Sequence, residues 1–72
     1  MSTFTLEELE ESKKQIKSLV HKLRETVTTL QQKENPQRYK SQITLAERRI
    51  RAFEISLELI EREIIKERDA QN

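Results

Sequence analysis

Residues 30–40, LQQKENPQRYK, hold the only proline of the chain and lie almost at the middle of its 72 residues. About thirty residues run on either side with no glycine and no second proline. Asn35 is placed to cap a helix, and Pro36 to occupy its first position, where the missing N–H leaves no bond unmade. The same proline disfavours helix at the residue before it, so a preceding helix has to stop near Lys33 or Glu34. A connection of about two to four residues between two long helices points to an antiparallel hairpin. The expected domain is therefore a single all-α, coiled-coil-like helical hairpin over residues 1–72. Helix one spans about 5–33, the turn about 34–35 and helix two about 36–68.

Outward from this corner the apolar residues keep heptad time. On the first side they are Leu6, Leu9, Ile16, Val20, Leu23, Val27 and Leu30, with Lys13 as the one polar position in the row. On the second side they are Tyr39, Ile43, Ala46, Ile50, Phe53, Leu57, Ile60 and Ile64. Spacings that alternate between four and three define a coiled-coil seam. Counted outward from residues 34 and 35, Leu30 lies opposite Tyr39 and Leu6 within one residue of Ile64, so the two seams close along their whole length. Helices of this size at 1.5 Å per residue predict a rod about 40–50 Å long.

The first helix also carries its own start signal. Thr5 and Glu8 fit a capping box, and Phe4 and Leu9 fit the hydrophobic staple around it. Glu7, Glu8, Glu10 and Glu11 crowd the first turns, where the helix dipole favours anions, and Lys13, Lys14 and Lys17 follow. The closing ERDAQN falls outside the seam pattern and is expected to fray.

Composition narrows the class further. Charged residues make up 38% and hydrophobic ones only 33%, with three aromatics, Phe4, Tyr39 and Phe53, so a closed globular core is hard to build. Such a Glu-, Lys-, Arg- and Leu-rich, glycine-free chain has the make-up of long helices. Cysteine is absent, which removes disulfides and thiolate metal sites and fits a reducing compartment. No apolar run approaches the ~20 residues of a membrane span, and the acidic start lacks the layout of a signal peptide. A cytoplasmic protein is the expectation. A net charge of +1 gives no general pull toward nucleic acid.

Helix two has more apolar residues than its seam requires. Leu45, Ala52 and Leu59 recur every seven, Ile55 lies beside them, and the group points nearly away from the seam. Leu19 sits on the flank of the first seam. Single surface hydrophobes are ordinary. Four on one stripe of a scaffold too small to stand alone read instead as a second contact surface, since oligomerisation is a standard remedy for a thin core. These five residues are the candidate partner-binding set.

No catalytic constellation is evident. With one His, one Asp, no Cys and no glycine-rich loop, neither a triad, a metal cluster nor a phosphate cradle can be assembled, and no cofactor is expected. The chain does not read as an enzyme. His21 falls beside the seam and reads as a solvated flank. Glu58, Glu61, Arg62 and Glu63 read as a charged face with pairs one turn apart. Lys13 reads as a residue that snorkels or fixes register. Arg48, Arg49 and Arg51 form a compact basic cluster. An RNA-binding reading is opposed by nearby Glu47 and Glu54 and by the lack of interleaved aromatics. The preferred reading is a solvated face whose arginines pair with glutamates.

The stretch NPQRYKSQITLAERRIRAFEISLELI resembles the small E-type co-chaperones of bacterial type III secretion systems, the YscE/SsaE/EscE group. The match lies in Pro36, Gln37 and Tyr39 after the turn, then in the rhythm Leu45, Ala46, Ala52, Ile55 and Ile60. TFTLEELEESKKQIKSLVHKLR has the same flavour with little exact identity. The resemblance implies an antiparallel helical hairpin that pairs with a tetratricopeptide-like chaperone. Together the two hold the needle subunit as a soluble monomer in the cytosol. The extra apolar stripe would be where the two chaperones meet. Two rivals remain at this point: a homodimeric four-helix bundle with a structural or regulatory role, and an RNA-binding hairpin dimer centred on Arg48, Arg49 and Arg51.

Overall fold

A computed structural model describes residues 3–71, so Met1, Ser2 and Asn72 of the expected domain lie outside the described residues. The chain folds as α1 (Leu6–Gln31), a short 3-10 turn (Pro36–Tyr39) and α2 (Lys40–Gln71), with α1 packed along α2. The result is an all-α helical hairpin, a rod of 55 × 14 × 14 Å.

The start of α1 follows the sequence signal. The Thr5 hydroxyl accepts a hydrogen bond from the Glu8 N–H at 3.1 Å, and the Thr5 N–H donates to the Glu8 carboxylate at 3.0 Å. Two of the orphan donors at the helix start are thereby satisfied. The backbone and hydroxyl bonds to Thr5 hold the Glu8 carboxyl below the ordinary range. Leu9 is buried and lines one shallow cleft together with Phe4, as the staple requires.

The corner differs from expectation in detail. α1 ends at Gln31, two residues early, because the chain tightens there. The Gln32 N–H is shared between the Thr28 and Thr29 carbonyls, and Lys33 donates to Leu30 in a 3-10 pattern. The turn needs no residue in the left-handed region, and none of the described residues has positive φ. Asn35 occupies the cap position, but its side chain makes no capping bond; its carbonyl accepts from the Arg38 N–H at 3.0 Å instead. Pro36 thus begins a 3-10 turn that leads into α2. The Lys33 ammonium lies 6.0 Å from the centre of the Tyr39 ring, linking the two sides of the corner.

Helix two also runs further than expected, through Gln71. The closing residues, which fall outside the seam pattern, continue the helix through 71, and within them Arg68 bonds Glu10 of α1 at 2.7 Å. At 1.5 Å per residue the three added residues contribute about 4–5 Å, under one turn, toward a rod somewhat longer than the ~40–50 Å anticipated.

The seam is where the spacing placed it. Along α1 every residue of the row Leu6, Leu9, Lys13, Ile16, Val20, Leu23, Val27 and Leu30 is buried or half-buried, and every other residue is exposed. Along the second side, Tyr39, Ile43, Ala46, Ile50, Phe53, Leu57, Ile60 and Ile64 are likewise covered. Full burial is scarce, however. Among the described residues only Leu9, Val20, Ala46 and Ile64 lose nearly all contact with solvent. Two helices alone enclose a line of side chains, not a volume.

Candidate protein-binding face

When seam residues are taken as heptad positions a and d, the remaining positions sort onto distinct edges of the rod. Position e faces across one edge and g across the other, while b, c and f point outward. Among the described residues three ion pairs join the helices: Glu10–Arg68, Lys13–Glu61 and Arg24–Glu54. Every partner is at an e position except Lys13, which reaches out from the seam. One edge of the hairpin is thus laced by charge.

Within that lace, Lys13 resolves its sequence ambiguity. Its ammonium meets a Glu61 carboxylate oxygen that is itself shielded from solvent. The bond to Lys13 lowers the Glu61 carboxyl below its ordinary value against the opposing cost of desolvation, with Lys17 and Arg68 adding attraction. A cation at the one polar seam position, matched to a carboxylate across the gap, fixes which residues stand level. Glu61 was expected to pair along its own helix. There, Arg62 instead bonds Glu58 at 3.0 Å and Lys66 bonds Glu63 at 3.3 Å.

The candidate stripe lies elsewhere. Leu45 is 48% exposed, Ile55 42% and Leu59 54%, with Ala52 open between them. Leu45, Ala52 and Leu59 share position c and Ile55 takes f, so the four form one outward surface of α2. Leu19, at 45%, occupies a g position on the edge free of the interhelix ion pairs. The structure therefore brings the four α2 residues onto one surface, and Leu19 flanks it from α1. Sequence reading missed one exposed apolar side chain, Ile65, and did not foresee how open the staple residue Phe4 stays. Ile65 is 51% exposed at a b position, and Phe4 is 57% exposed at the open end. Ile65 follows Ile64 directly, and its outward direction is visible from the heptad; the seam had absorbed the Ile64–Ile65 pair as one signal.

The basic cluster corrects an expectation. Arg48, Arg49 and Arg51 are exposed, but none forms an ion pair with another described residue. Glu54, one of the two glutamates near the cluster, is held by Arg24 across the seam. His21 sits on an exposed flank 2.6 Å from Glu25 of its own helix. Among the described residues no group of three or more His, Cys, Asp or Glu is arranged to hold a metal ion, and no helix is long and apolar enough to cross a membrane.

Charge is also segregated along the rod. Residues 19–51, the corner half, carry eight basic and three acidic side chains, while the remainder carries six basic and ten acidic. Folding at the corner stacks the two basic stretches together, leaving a positive corner half and a negative open half. Compared with known proteins, the chain matches no family model, no curated protein and no solved structure.

Proposed function

We propose that this hairpin is a binding subunit, a co-chaperone that completes a tetratricopeptide-like chaperone and helps keep a type III secretion needle subunit monomeric in the cytoplasm. The observation that carries the binding role is the mismatch between core and surface. Four side chains are buried within the rod, and Leu19, Leu45, Ile55, Leu59 and Ile65 lie open on it. A two-helix scaffold gains too little from such a core to offset its ordering entropy by a wide margin. Covering the outer stripe with a helical partner supplies what the hairpin lacks.

The choice of partner rests on the resemblance around PQRYK and on geometry that suits it. Tetratricopeptide repeats present antiparallel helix pairs, and a hairpin with an apolar outer face extends such a stack by one further pair. The protein is not an enzyme in this reading; its task is to stabilise another chain. The test is co-purification from the native host with mass identification of what accompanies it. Recovery of a helical-repeat chaperone together with a small polymerising subunit is the expected result. Recovery of the chain with RNA alone, or with neither protein, overturns the reading.

A further inference from the structure

The outer stripe of α2 has a property that a generic apolar face lacks: it is symmetric. Leu45 and Leu59 stand seven residues to either side of Ala52, in the order large, small, large on position c. A two-fold axis through Ala52 places Leu45 of one copy level with Leu59 of a second and lets the two alanines meet. Such a patch is complementary to itself, which is the requirement for a two-fold dimer. Ala52 lies near the middle of α2 (Lys40–Gln71), so two antiparallel rods overlap along their length.

Charge favours the same arrangement. On the second side, residues 36–51 have five basic side chains and one acidic, whereas residues 53–71 have six acidic and three basic. Antiparallel pairing lays each basic half over the acidic half of the other copy. Parallel pairing would place like over like.

The hairpin itself calibrates which residues would touch. Glu10 stands level with Ile60 yet bonds Arg68, and Arg24 stands level with Ala46 yet bonds Glu54, eight positions further along in both cases. The relation of e to the a–d seam is the relation of g to a c–f seam. In the two-fold pair Arg49 stands level with Ile55 of the second copy, and eight positions further along is Glu63. Arg49 has no ion-pair partner among the described residues, and Glu63 is engaged only by Lys66 at 3.3 Å.

From this geometry we infer that the chain forms an antiparallel homodimer through the outer face of α2, with Ala52 on the two-fold axis, Leu45 packed on Leu59 and Arg49 paired with Glu63 of the second copy. The inference is independent of which heteromeric partner the chain serves.

Two measurements on the full chain test it, and the absence of native cysteine makes the first clean. Under mild oxidation Ala52→Cys is expected to cross-link to itself, and Leu45→Cys to cross-link with Leu59→Cys when the two variants are mixed. Leu45→Cys alone is expected not to cross-link. Self-linking of Leu45→Cys indicates parallel pairing and overturns the proposal. In sedimentation at tens of micromolar, Arg49→Glu and Glu63→Arg are each expected to weaken dimerisation on the order of tenfold, since both symmetric pairs turn repulsive. The double variant restores it. A wild-type chain that sediments as monomer, or a double variant no better than the singles, overturns the assignment. A monomer that still recruits its chaperone partner overturns this inference and leaves the proposed function standing.

Discussion

Ile64 and Ile65 are neighbours with the same side chain and opposite surroundings, and they test the seam directly. Ile64 is 1% exposed and Ile65 is 51% exposed. Ile64→Val deletes one methylene from the best-buried site of the rod and should cost about 0.5–1.5 kcal/mol, with Ile64→Ala costing about 2–5 kcal/mol. Ile65→Val changes a surface position and should stay within about 0.5 kcal/mol. At about 0.05–0.15 kcal/mol per residue the whole chain holds only about 4–10 kcal/mol, so Ile64→Ala brings it close to unfolding. Urea titration followed by circular dichroism is the assay, run dilute enough that self-association contributes nothing. With a slope near 1 kcal/mol/M for so small a chain, Ile64→Val should lower the midpoint by about 0.5–1.5 M without changing the slope. Half-buried Ile50 and Leu23 should lose less on shortening than Ile64. Equal losses at Ile64 and Ile65 would mean α2 is rotated from the face described, and the outer stripe would be misplaced with it.

Glu8 and Glu61 are both held below the ordinary carboxylate range, by the Thr5 bonds and by Lys13 respectively. A lowered folded-state pKa contributes stability that is present above the unfolded value and is lost as pH falls through the folded one. Thermal stability should therefore be flat around neutrality and decline on acidification, and Glu8→Gln with Glu61→Gln should flatten that decline. An unchanged acid limb in the double variant refutes the assignment. RNA binding should be weak and lack the steep salt dependence of a multi-phosphate contact, because the corner half spreads its cations around both helices and spends Arg24 on Glu54. Tight binding abolished by reversing Arg49 and Arg51 would instead favour the RNA reading.

Much of this architecture was legible because two independent periodicities agreed. The mirrored four–three spacings placed every covered residue of α1, including polar Lys13, and the proline placed the corner within two residues. What the spacing could not give was competition among side chains. Arg48, Arg49 and Arg51 were expected to pair with glutamates, but folding brings Arg24 to one of the two nearby, Glu54, from thirty residues away. The Asn35 cap failed for a related reason: in the 3-10 turn the Asn35 backbone carbonyl accepts from the Arg38 N–H, the donor a capping side-chain oxygen would otherwise take. Local signals state what a residue can do, and the second helix decides which option is taken.

The proposed homodimer and the proposed chaperone partner are assigned to one stripe, so the two associations should exclude each other, and that exclusion has a measurable sign. When only a fraction of the chain is monomeric, its apparent affinity for a partner falls by that fraction; a chain one-tenth monomeric binds about tenfold more weakly. Arg49→Glu lowers dimerisation through a flanking charge and leaves Leu45, Ala52, Ile55 and Leu59 intact. At concentrations where the wild type is mostly dimer, this variant should therefore bind the chaperone more tightly in appearance than wild type, and the gain should vanish on dilution. Leu59→Asp behaves differently. It places a charge without a counter-ion into either interface, which is costly when buried and harmless when exposed on the free hairpin. It should abolish both associations while the free chain keeps its helicity. Titration against the purified chaperone, with chain concentration varied across the dimer transition, separates the cases. If Arg49→Glu gives no gain at any concentration and Leu59→Asp still binds the chaperone at wild-type strength, the two surfaces are distinct. The chaperone would then have to seat on α1 around Leu19 or at the open end beside Phe4.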